Sequence, residues 1–444
     1  MSFIEIYSDR RIAAMKQIKV GIIGFGTVGA GVADILLKNG DVISSRAGVE
    51  LVLARIADLD ITTDRGVKVP AGVLTTDADA LIDEVDVVVE LIGGKTVAKD
   101  FILKALNKGK MVVTANKALL AEYGKELFAA AEANNADIYY EASVGGGIPV
   151  IKALREGLAA NHINSIYGIL NGTCNYILTR MEQEGADFAP ILADAQKLGY
   201  AEAEPSLDVD GFDTAHKAAI LASLAYGEWF GLGPVYVEGI RNISQQDLAY
   251  ADELGYRIKL LAIIKQTDGD VQVRVHPTLV PKSALLGNIN GVFNGVFMEG
   301  DFLGPSLFYG RGAGREATAS AVVADLVDVG LNLACGSVHR VPAFRAGKLY
   351  KNVLPISEIR SRYYLRLAVK DESGVLASIA EELSRRNISI SSLIQHEVAA
   401  EDGTVPVIIL THITQEARIV DAISAIEQLP EVVGEVRRLR IEDI

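Results

Sequence analysis

The chain has only two cysteines among its 444 residues and no block of lysine and arginine, and each absence excludes a class of protein. Cys174 and Cys335 stand far apart and in no metal-binding spacing, which argues against a disulfide framework and indicates a reducing, cytoplasmic compartment. The net charge of -14 argues against a nucleic-acid partner and is typical of a soluble protein that acts on small molecules.

Long apolar runs are also lacking. No run reaches the ~20 residues that span a bilayer, so we expect no membrane association. The first 17 residues lack the apolar core of a signal peptide, and we interpret residues 1–17 as an N-terminal extension without an assigned role. The composition, 50% hydrophobic and 23% charged, is that of a globular protein. At roughly 150 residues per domain, the length predicts about three domains.

Three patterns follow one another along the chain. Residues 18–142 alternate apolar strands with helical stretches, which predicts βαβ units and a doubly wound parallel α/β sheet, completed by residues 311–345 after a glycine-rich link. Residues 143–310 mix helical and β-rich segments and predict a separate α+β domain. Residues 360–444 follow the order βαββαβ, with a hairpin at 399–404, which is the ferredoxin-like split-βαβ pattern.

The first chemical motif is a glycine pattern that follows an apolar strand and precedes a helix. Gly24 would permit a tight turn, Gly26 would let the backbone approach a pyrophosphate, and Gly29 would let helix and strand pack closely. The helix N-terminus would add N–H groups and the positive end of a dipole. The motif predicts a Rossmann-type dinucleotide site, with a glycine turn in another doubly wound fold as the alternative. The predicted cofactor contacts are Gly24, Phe25, Gly26, Thr27, Val28 and Gly29.

The end of the second predicted strand bears on which dinucleotide binds. An NAD site usually has Asp or Glu there for the ribose hydroxyls, whereas this chain has Arg55, with Asp58 three residues later. A planar guanidinium suits a 2′-phosphate, so the sequence favours NADP. If Arg55 only covers the adenine face, NAD use stays open.

Lys117 closes the motif Thr114-Ala-Asn116-Lys117, just after the fourth predicted strand. In open α/β sheets, ligands sit beyond the carboxyl ends of the strands. Lys117 is therefore placed to meet a phosphate or a substrate oxygen. The alternative is a solvated lysine that caps the loop.

A triple glycine before a proline, in the stretch from Glu141 to Pro149, predicts an irregular turn with exposed carbonyl oxygens. One carboxylate and several carbonyls form a plausible nest for a hard monovalent cation. A flexible hinge between domains explains the same glycines equally well. The sequence alone leaves both interpretations open.

The stretch Asn171-Gly-Thr-Cys-Asn175-Tyr carries neutral hydrogen-bonding groups at a glycine turn before a helix. These groups suit a polar substrate that resembles an amino acid. An ordinary helix N-cap is the alternative.

Asp213 and Lys217 stand at the start of a helix that is apolar almost all round from Thr214 onward. A spacing of four residues puts their side chains on one helical face. A lysine in an apolar site can act as an acid or a base, and a nearby carboxylate holds it charged and oriented. A structural ion pair is the alternative, although a buried pair seldom adds net stability.

In combination, these motifs resemble homoserine dehydrogenase. The resemblance covers residues 18–441 and rests on GFGTVG, TANK, EASVGGGIP, NGTCNYIL and, most specifically, the run from Glu204 to Lys217. The C-terminal unit resembles an ACT regulatory domain, a module that binds amino acids. No kinase-like segment precedes the motifs, so the chain resembles the monofunctional form.

The resemblance implies roles for individual residues. Lys217 would protonate a carbonyl oxygen as hydride arrives from a nicotinamide, and Asp213 would orient it. Glu204 would hold the substrate ammonium. Lys117 would bind near the nicotinamide ribose and the substrate. The remaining implied substrate contacts are Gly172, Thr173 and Asp208.

The resemblance also implies three further sets of contacts. Gly312 would be a cofactor contact. The implied sodium or potassium site consists of Glu141, Val144, Gly146 and Ile148. The loop that would hold an amino-acid effector contains Asp371, Gly374 and Val375.

Members of this family interconvert L-aspartate 4-semialdehyde and L-homoserine with NAD(P)H, in the synthesis of threonine, methionine and isoleucine. The resemblance implies feedback control by threonine through the ACT unit, with a purely dimerising module as the alternative. It also implies a homodimer through residues 143–310, or a homotetramer. Two other functions stay open: a catalytically inactive amino-acid sensor, and another NADP oxidoreductase of a carbonyl derived from an amino acid.

Overall fold

The computed structural model describes residues 15–340, 348–395 and 403–444. Most of the predicted N-terminal extension, residues 1–14, and most of the predicted hairpin turn lie outside the described residues. The chain divides into two compact units. The first comprises residues 1–160, 219–231 and 308–348, and the second comprises residues 161–218, 232–307 and 349–444.

Seventeen strands are assigned in the described part of the chain. They are β1 Lys16–Ile23, β2 Val49–Ala57, β3 Leu74–Thr75, β4 Val87–Glu90, β5 Met111–Thr114, β6 Ile138–Tyr139, β7 Ile163–Ile169, β8 Tyr236–Val237, β9 Tyr256–Thr267, β10 Asp270–Pro281, β11 Phe293–Gly300, β12 Gly304–Arg311, β13 Arg360–Lys370, β14 Ile390–Gln395, β15 Thr404–Thr411, β16 Thr414–Gln415 and β17 Val432–Ile441.

The α-helices of the same residues number fourteen. They are α1 Thr27–Lys38, α2 Gly40–Ala47, α3 Ala78–Glu84, α4 Thr96–Asn107, α5 Lys117–Ala133, α6 Val150–Lys152, α7 Gly172–Glu184, α8 Phe188–Lys197, α9 Ser206–Val209, α10 Phe212–Tyr226, α11 Gln245–Glu253, α12 Arg315–Cys335, α13 Val375–Arg385 and α14 Glu416–Ile426. Short 3₁₀ turns lie at Glu141–Ser143, Leu286–Asn288 and Ile356–Glu358, and a π-helical turn lies at Ala153–Gly157.

The first unit contains a six-stranded sheet in the order β3-β2-β1-β4-β5-β6, in which every adjacent pair is parallel. This order is that of dinucleotide-binding sheets, and it confirms the predicted parallel sheet. Every residue of β4 and β5 is buried, as expected for strands covered on both faces. The two-residue strand β3 was not predicted, because so short an edge strand has no periodicity to detect.

Helix α12 packs against α1 in this unit. A Cβ on Gly31 of α1 would lie 2.9 Å from Arg315 Cγ and 3.0 Å from Ala319 Cβ, so the two helices approach closely. Among the described residues, α12 is the one helix long and apolar enough to cross a membrane. Because 61% of that apolar window is buried and it carries the buried Asp325 and Asp328, α12 is a core helix.

The second unit contains an eleven-stranded sheet except for residues 308–311 of its edge strand β12. The strand order is β12-β11-β7-β9-β10-β17-β13-β15-β14, with β8 on β10 and β16 on β13. Its C-terminal part has the predicted order βαββαβ, to which the structure adds the two-residue β16. Helices α13 and α14 pack on this part of the sheet over an apolar core that includes Leu365, Ile379, Val407 and Ile419.

The C-terminal module shares its sheet with the middle of the chain. Strand β17 runs parallel to β10 and pairs Arg440 with Thr278 and Ile441 with Leu279. Glu442 N also donates to Leu279 O at 3.1 Å. The sequence pattern did not predict this junction, because only a few residues of the last strand pair across it.

Candidate active site

The glycine loop of the first unit has the geometry that each glycine was expected to provide. Gly24 has a φ of +106°, and a Cβ there would meet the Leu91 backbone at 2.7 Å. A Cβ on Gly29 would lie 2.0 Å from Gly24 O, so the loop and α1 pack too closely for a side chain. A Cβ on Gly26 meets no atom within 4 Å. The loop is therefore tight where it touches protein and open at Gly26, which fits a dinucleotide.

Asp58, directly after β2, holds the glycine loop. It accepts from Phe25 N at 2.5 Å through Oδ2 and from Asp60 N at 2.9 Å through Oδ1. Arg55 lies inside β2, where it contacts Glu84 at 2.6 Å and also donates to Gly72 O. The Arg55 side chain is 35% exposed. Both candidate ribose contacts, Asp58 and Arg55, are thus already engaged in hydrogen bonds within the protein.

Lys117 is the first residue of α5 and lies half-buried beyond the end of β5. Asn116 caps this helix by accepting from Leu119 N at 3.1 Å and donates to Gly94 O at 2.7 Å. Beside it, the buried Glu90 accepts from Thr114 Oγ1 at 2.7 Å. Burial raises the pKa of Glu90, against the opposing effect of that hydrogen bond. Glu90 was not among the residues predicted from the sequence, although a carboxylate at the end of a buried strand is a recognisable signal.

The turn predicted to hold a cation is fixed by Glu141. Its two carboxylate oxygens accept from Ile151 N and Lys152 N, each at 2.8 Å, and burial raises its pKa. A Cβ on Gly146 would lie 2.4 Å from Gly312 O, so Gly312 packs directly against this turn. The Glu141 carboxylate is therefore engaged with main-chain amides and fixes the conformation of the turn.

The Asp213–Lys217 pair lies in the second unit at the start of α10. Lys217 Nζ donates to Asp213 Oδ2 at 2.7 Å and to Leu170 O at 2.6 Å. Both side chains are only 10% exposed. A charged ammonium in such surroundings is held in one orientation and interacts strongly with an approaching oxygen.

Asn171 connects this pair to the neighbouring loop. Its Nδ2 donates to Asp213 Oδ2 at 2.9 Å and to Asp208 Oδ1 at 2.7 Å, while its Oδ1 caps α7 by accepting from Cys174 N at 2.8 Å. The sequence pattern predicts Asn171 as a cap or a substrate contact and contains no signal for its bridge between two carboxylates. Burial, and then the charges of Asp208 and Asp213, raise the pKa of Cys174, so this thiol stays protonated.

The remaining substrate candidates surround the first turn of α7. A Cβ on Gly172 would lie 2.8 Å from Val292 O, so the chain passes close by. Thr173 Oγ1 donates to Tyr200 O at 2.6 Å. Glu204 is exposed and accepts from Ser206 N at 3.2 Å, and hydrogen bonds from Ser206 lower its pKa. Its carboxylate is therefore charged and accessible to a cation.

The predicted effector loop joins β13 to α13. Gly374 has a φ of +99° and caps α13, Val375 is buried in the apolar core, and Asp371 is exposed. This loop has the expected strand–turn–helix geometry.

These features are those of a dinucleotide-dependent oxidoreductase with a C-terminal ACT-type module. The open glycine loop is suited to a dinucleotide, and a buried lysine beside a carboxylate is suited to act as an acid towards an oxygen-containing substrate. Among the described residues, no cluster of three or more His, Cys, Asp or Glu side chains is suited to a metal ion.

Comparisons with known proteins identify the family. Family models match for homoserine dehydrogenase over residues 149–327, for its NAD-binding domain over 24–141 and for the ACT domain over 363–431. Homoserine dehydrogenase of Pseudomonas aeruginosa is 49% identical over 97% of this chain and 100% of its own. The chain belongs to the homoserine dehydrogenase family, whose members are oxidoreductases acting on a CH–OH group.

Two solved structures support the same conclusion. The crystal structure of a homoserine dehydrogenase from Thiobacillus denitrificans has a TM-score of 0.91 at 46% identity, covering 97% of this chain and 99% of that one. A hyperthermophilic archaeal homoserine dehydrogenase in complex with NADPH has a TM-score of 0.60 at 29% identity, covering 71% of this chain and 98% of that one.

Proposed function

We propose that Lys217 protonates the carbonyl oxygen of L-aspartate 4-semialdehyde as this aldehyde is reduced to L-homoserine, and takes the proton back in the reverse reaction. The observation that carries the proposal is the pair of contacts at Lys217 Nζ, to Asp213 Oδ2 and to Leu170 O. An ammonium has three N–H groups. Within the described part of the chain two of them are engaged, so the third can meet a substrate oxygen. A bound nicotinamide supplies the hydride.

The surroundings of Lys217 support its role as an acid. Negative charge develops on the aldehyde oxygen during reduction, and a fixed cation in a site with little water stabilises that charge better than bulk water does. Asp213 holds the ammonium in place, and Asn171 holds Asp213. This arrangement orients the proton donor before the substrate arrives.

Substrate recognition is proposed to combine one charged group with several neutral ones. Glu204 would bind the substrate ammonium, since its carboxylate is exposed and ionised. Gly172 and Thr173 would line the pocket from the first turn of α7. Asp208 would contribute through its bond to Asn171. Lys117 would bind the nicotinamide ribose and a substrate oxygen.

The catalytic proposal is tested with Lys217→Met and its control Lys282→Met, at a lysine that pairs with Asp252. NADP-dependent oxidation of L-homoserine, followed at the nicotinamide absorbance, should fall by several orders of magnitude in kcat for Lys217→Met while NADPH still binds. Lys282→Met should retain activity. Near-wild-type turnover by Lys217→Met would remove this lysine from the mechanism.

For the cofactor, we propose NADP in preference to NAD. Support comes from Arg55 and from the archaeal relative that binds NADPH. Arg55 would exchange its bond to Glu84 for the 2′-phosphate. Arg55→Ala should therefore raise the KM for NADPH at least tenfold with little effect on that for NADH, whereas Glu84→Gln should lower the KM for NADPH. Equal KM changes for both cofactors would favour a role at the adenine face.

We propose a sodium or potassium site formed by the main-chain carbonyls of Val144, Gly146 and Ile148. Glu141 would contribute its charge while its carboxylate fixes the turn. The cation would hold the turn against Gly312 and so support the cofactor site. Replacement of sodium and potassium by tetramethylammonium should raise the KM for NADPH.

The ACT module is proposed to bind threonine at Asp371, Gly374 and Val375, in a cytoplasmic homodimer or homotetramer that serves threonine, methionine and isoleucine synthesis. The proposed domains are an N-terminal extension at 1–17, a dinucleotide-binding domain at 18–142 completed by 311–345, a catalytic and dimerisation domain at 143–310, and the ACT domain at 360–444. Threonine should inhibit the wild-type enzyme, and Asp371→Ala should abolish that inhibition while uninhibited kcat is retained. Unchanged activity at saturating threonine would leave only an assembly role.

A further inference from the structure

A cavity of about 280 Å³ lies within the second unit, where the C-terminal module meets residues 238–247. We call it the junction cavity. Its apolar walls come from α14 and β17, and its polar groups come from both sides. The apolar lining includes Val420, Ile423 and Val436, and the basic lining consists of Arg437 and Arg438.

The basic side of the junction cavity has unused hydrogen-bond donors. Arg438 Nη1 contacts Glu416 at 3.0 Å, but its Nε is buried and has no hydrogen-bond partner in the described part of the chain. Arg437 is 41% exposed, and its contact to Glu435 measures 3.6 Å. Buried donors normally have partners, so Arg438 Nε indicates that an acceptor belongs beside it.

The acidic residues on the opposite wall are already neutralised. Glu238 accepts from Arg440 at 3.0 Å, and Asp247 accepts from Arg366 at 2.6 Å. On the basic side, Arg438 is paired with Glu416, so the least tightly paired charge at the cavity is that of Arg437, whose contact to Glu435 measures 3.6 Å. Together with the apolar walls, this charge fits a small carboxylate with a short aliphatic body.

We propose that the junction cavity binds a small aliphatic carboxylate, and that binding changes the position of the substrate loop. The second part rests on the proposed role of Glu204. The cavity is separate from the Asp371–Val375 loop, and none of its lining residues belongs to that loop.

The structural basis for the second part is a segment that we call the connector, residues 238–241. At one end, Glu238 is bound to Arg440, which also donates to Glu416 at 2.6 Å. In its middle, Ile240 N donates to Val209 O at 2.8 Å, and a Cβ on Gly239 would lie 2.2 Å from the same oxygen. The connector is thus packed tightly against the end of α9.

The far end of the connector reaches the residues around Glu204. Arg241 Nε donates to Asp210 Oδ1 at 2.5 Å, and its Nη2 donates to Ser206 Oγ at 2.9 Å. Ser206 N in turn donates to Glu204 Oε1 at 3.2 Å. Every step from Arg440 to Glu204 is therefore a hydrogen bond or a close backbone contact.

A carboxylate in the cavity acts on the hydrogen bond between Arg440 and Glu238. It competes with Glu416 for Arg438, and Glu416 then has Arg440 as its principal partner. A stronger Arg440–Glu416 pair weakens the Arg440–Glu238 bond and releases the connector. Because linkage is reciprocal, the ligand and L-homoserine then alter each other's affinity by the same factor.

The test uses the full-length enzyme, with isobutyrate as the probe and isobutyramide as its uncharged control. Isobutyrate should bind in calorimetry and change the KM for L-homoserine at least threefold, and isobutyramide should do neither. Ser424→Trp, which fills the cavity, and Arg438→Gln, which removes the charge, should each abolish binding. Arg385→Gln, at an exposed α13 arginine, should retain it.

Arg241→Ala separates ligand binding from its effect on the substrate loop. It removes the hydrogen bonds from the connector to Asp210 and Ser206, at the end of the connector that is remote from the cavity. This variant should bind isobutyrate normally and show no change in KM upon binding. Absence of binding to the wild type, or binding that survives both Ser424→Trp and Arg438→Gln, would overturn the site. Binding without a KM change in the wild type would overturn the transmission. Glu204→Gln with an unaltered KM would instead refute the substrate role of Glu204 and leave the calorimetric result intact.

Discussion

Replacing Asn171 separates the two roles that its amide has beside the catalytic pair. Its Oδ1 caps α7 through Cys174 N at 2.8 Å, whereas its Nδ2 bridges Asp208 and Asp213 at 2.7 and 2.9 Å. Asn171→Ala removes all three bonds. Asn171→Ser keeps a residue that caps helices well, but its side chain is too short to bridge the carboxylates.

The expected magnitudes of the two losses differ. A helix cap contributes about 1 kcal/mol to the free energy of unfolding. A hydrogen bond to a charged group contributes about 1.5–3 kcal/mol. If Asp213, and through it Lys217, loses its orientation by that amount in the transition state, kcat falls by about 10- to 100-fold.

Steady-state oxidation of L-homoserine and thermal unfolding together distinguish the two roles. Both variants should lose the same factor in kcat, whereas the alanine variant should melt about 2–4 °C below the serine variant because it alone lacks the cap. If Asn171→Ser recovers the wild-type kcat, the bridge has no catalytic role and Asn171 is only a cap.

Three further predictions test other parts of the structure. Gly29→Ala, whose methyl would lie 2.0 Å from a backbone oxygen, should abolish NADPH binding in a fluorescence titration, and Gly40→Ala, which meets no atom within 4 Å, should leave it unchanged. Gly146→Ala should melt at a lower temperature than Gly145→Ala, because its methyl meets backbone at 2.4 Å rather than a side chain at 3.4 Å. Burial lowers the pKa of Lys259 from 10.5 to about 8. Between about pH 8 and pH 10.5 the unfolded state therefore binds more protons than the folded state. Between those pH values the free energy of unfolding should rise by up to roughly 3 kcal/mol, as measured in urea, and Lys259→Met should remove this dependence.

Local sequence pattern predicted the parts of the structure that depend on neighbours along the chain. The roles of Gly24 and Gly29 follow from the strand, turn and helix that contain them, and the structure has the tight contacts that require glycine. The contact between Asp213 and Lys217 follows from their spacing of one helical turn.

Contacts between distant segments could not be predicted in this way. The Leu170 carbonyl that orients Lys217 belongs to a strand end 47 residues earlier, and a backbone oxygen has no signature in the sequence. The Glu141 carboxylate was expected at a cation, but its oxygens are taken by main-chain amides whose direction depends on the turn itself. Motif spacing identifies candidate residues, whereas their partners depend on the packing.

The end of the chain illustrates why removing the ACT module is a poor test of regulation. Glu442 is 5% exposed and accepts from Arg274 at 2.5 Å and from the Tyr167 hydroxyl at 3.2 Å. A truncation leaves Arg274, which is 2% exposed, without its carboxylate, and an unpaired buried charge of this kind costs about 3–5 kcal/mol. Tyr167 lies on β7, which leads directly to Leu170 beside Lys217, so truncation disturbs the catalytic site whether or not the module binds an effector. Substitutions confined to the effector loop or to the junction cavity separate loss of effector binding from damage to the catalytic site. Within the described part of the chain, the hydrogen bonds to the Glu442 carboxylate come from Arg274 and Tyr167, which belong to neither set of residues.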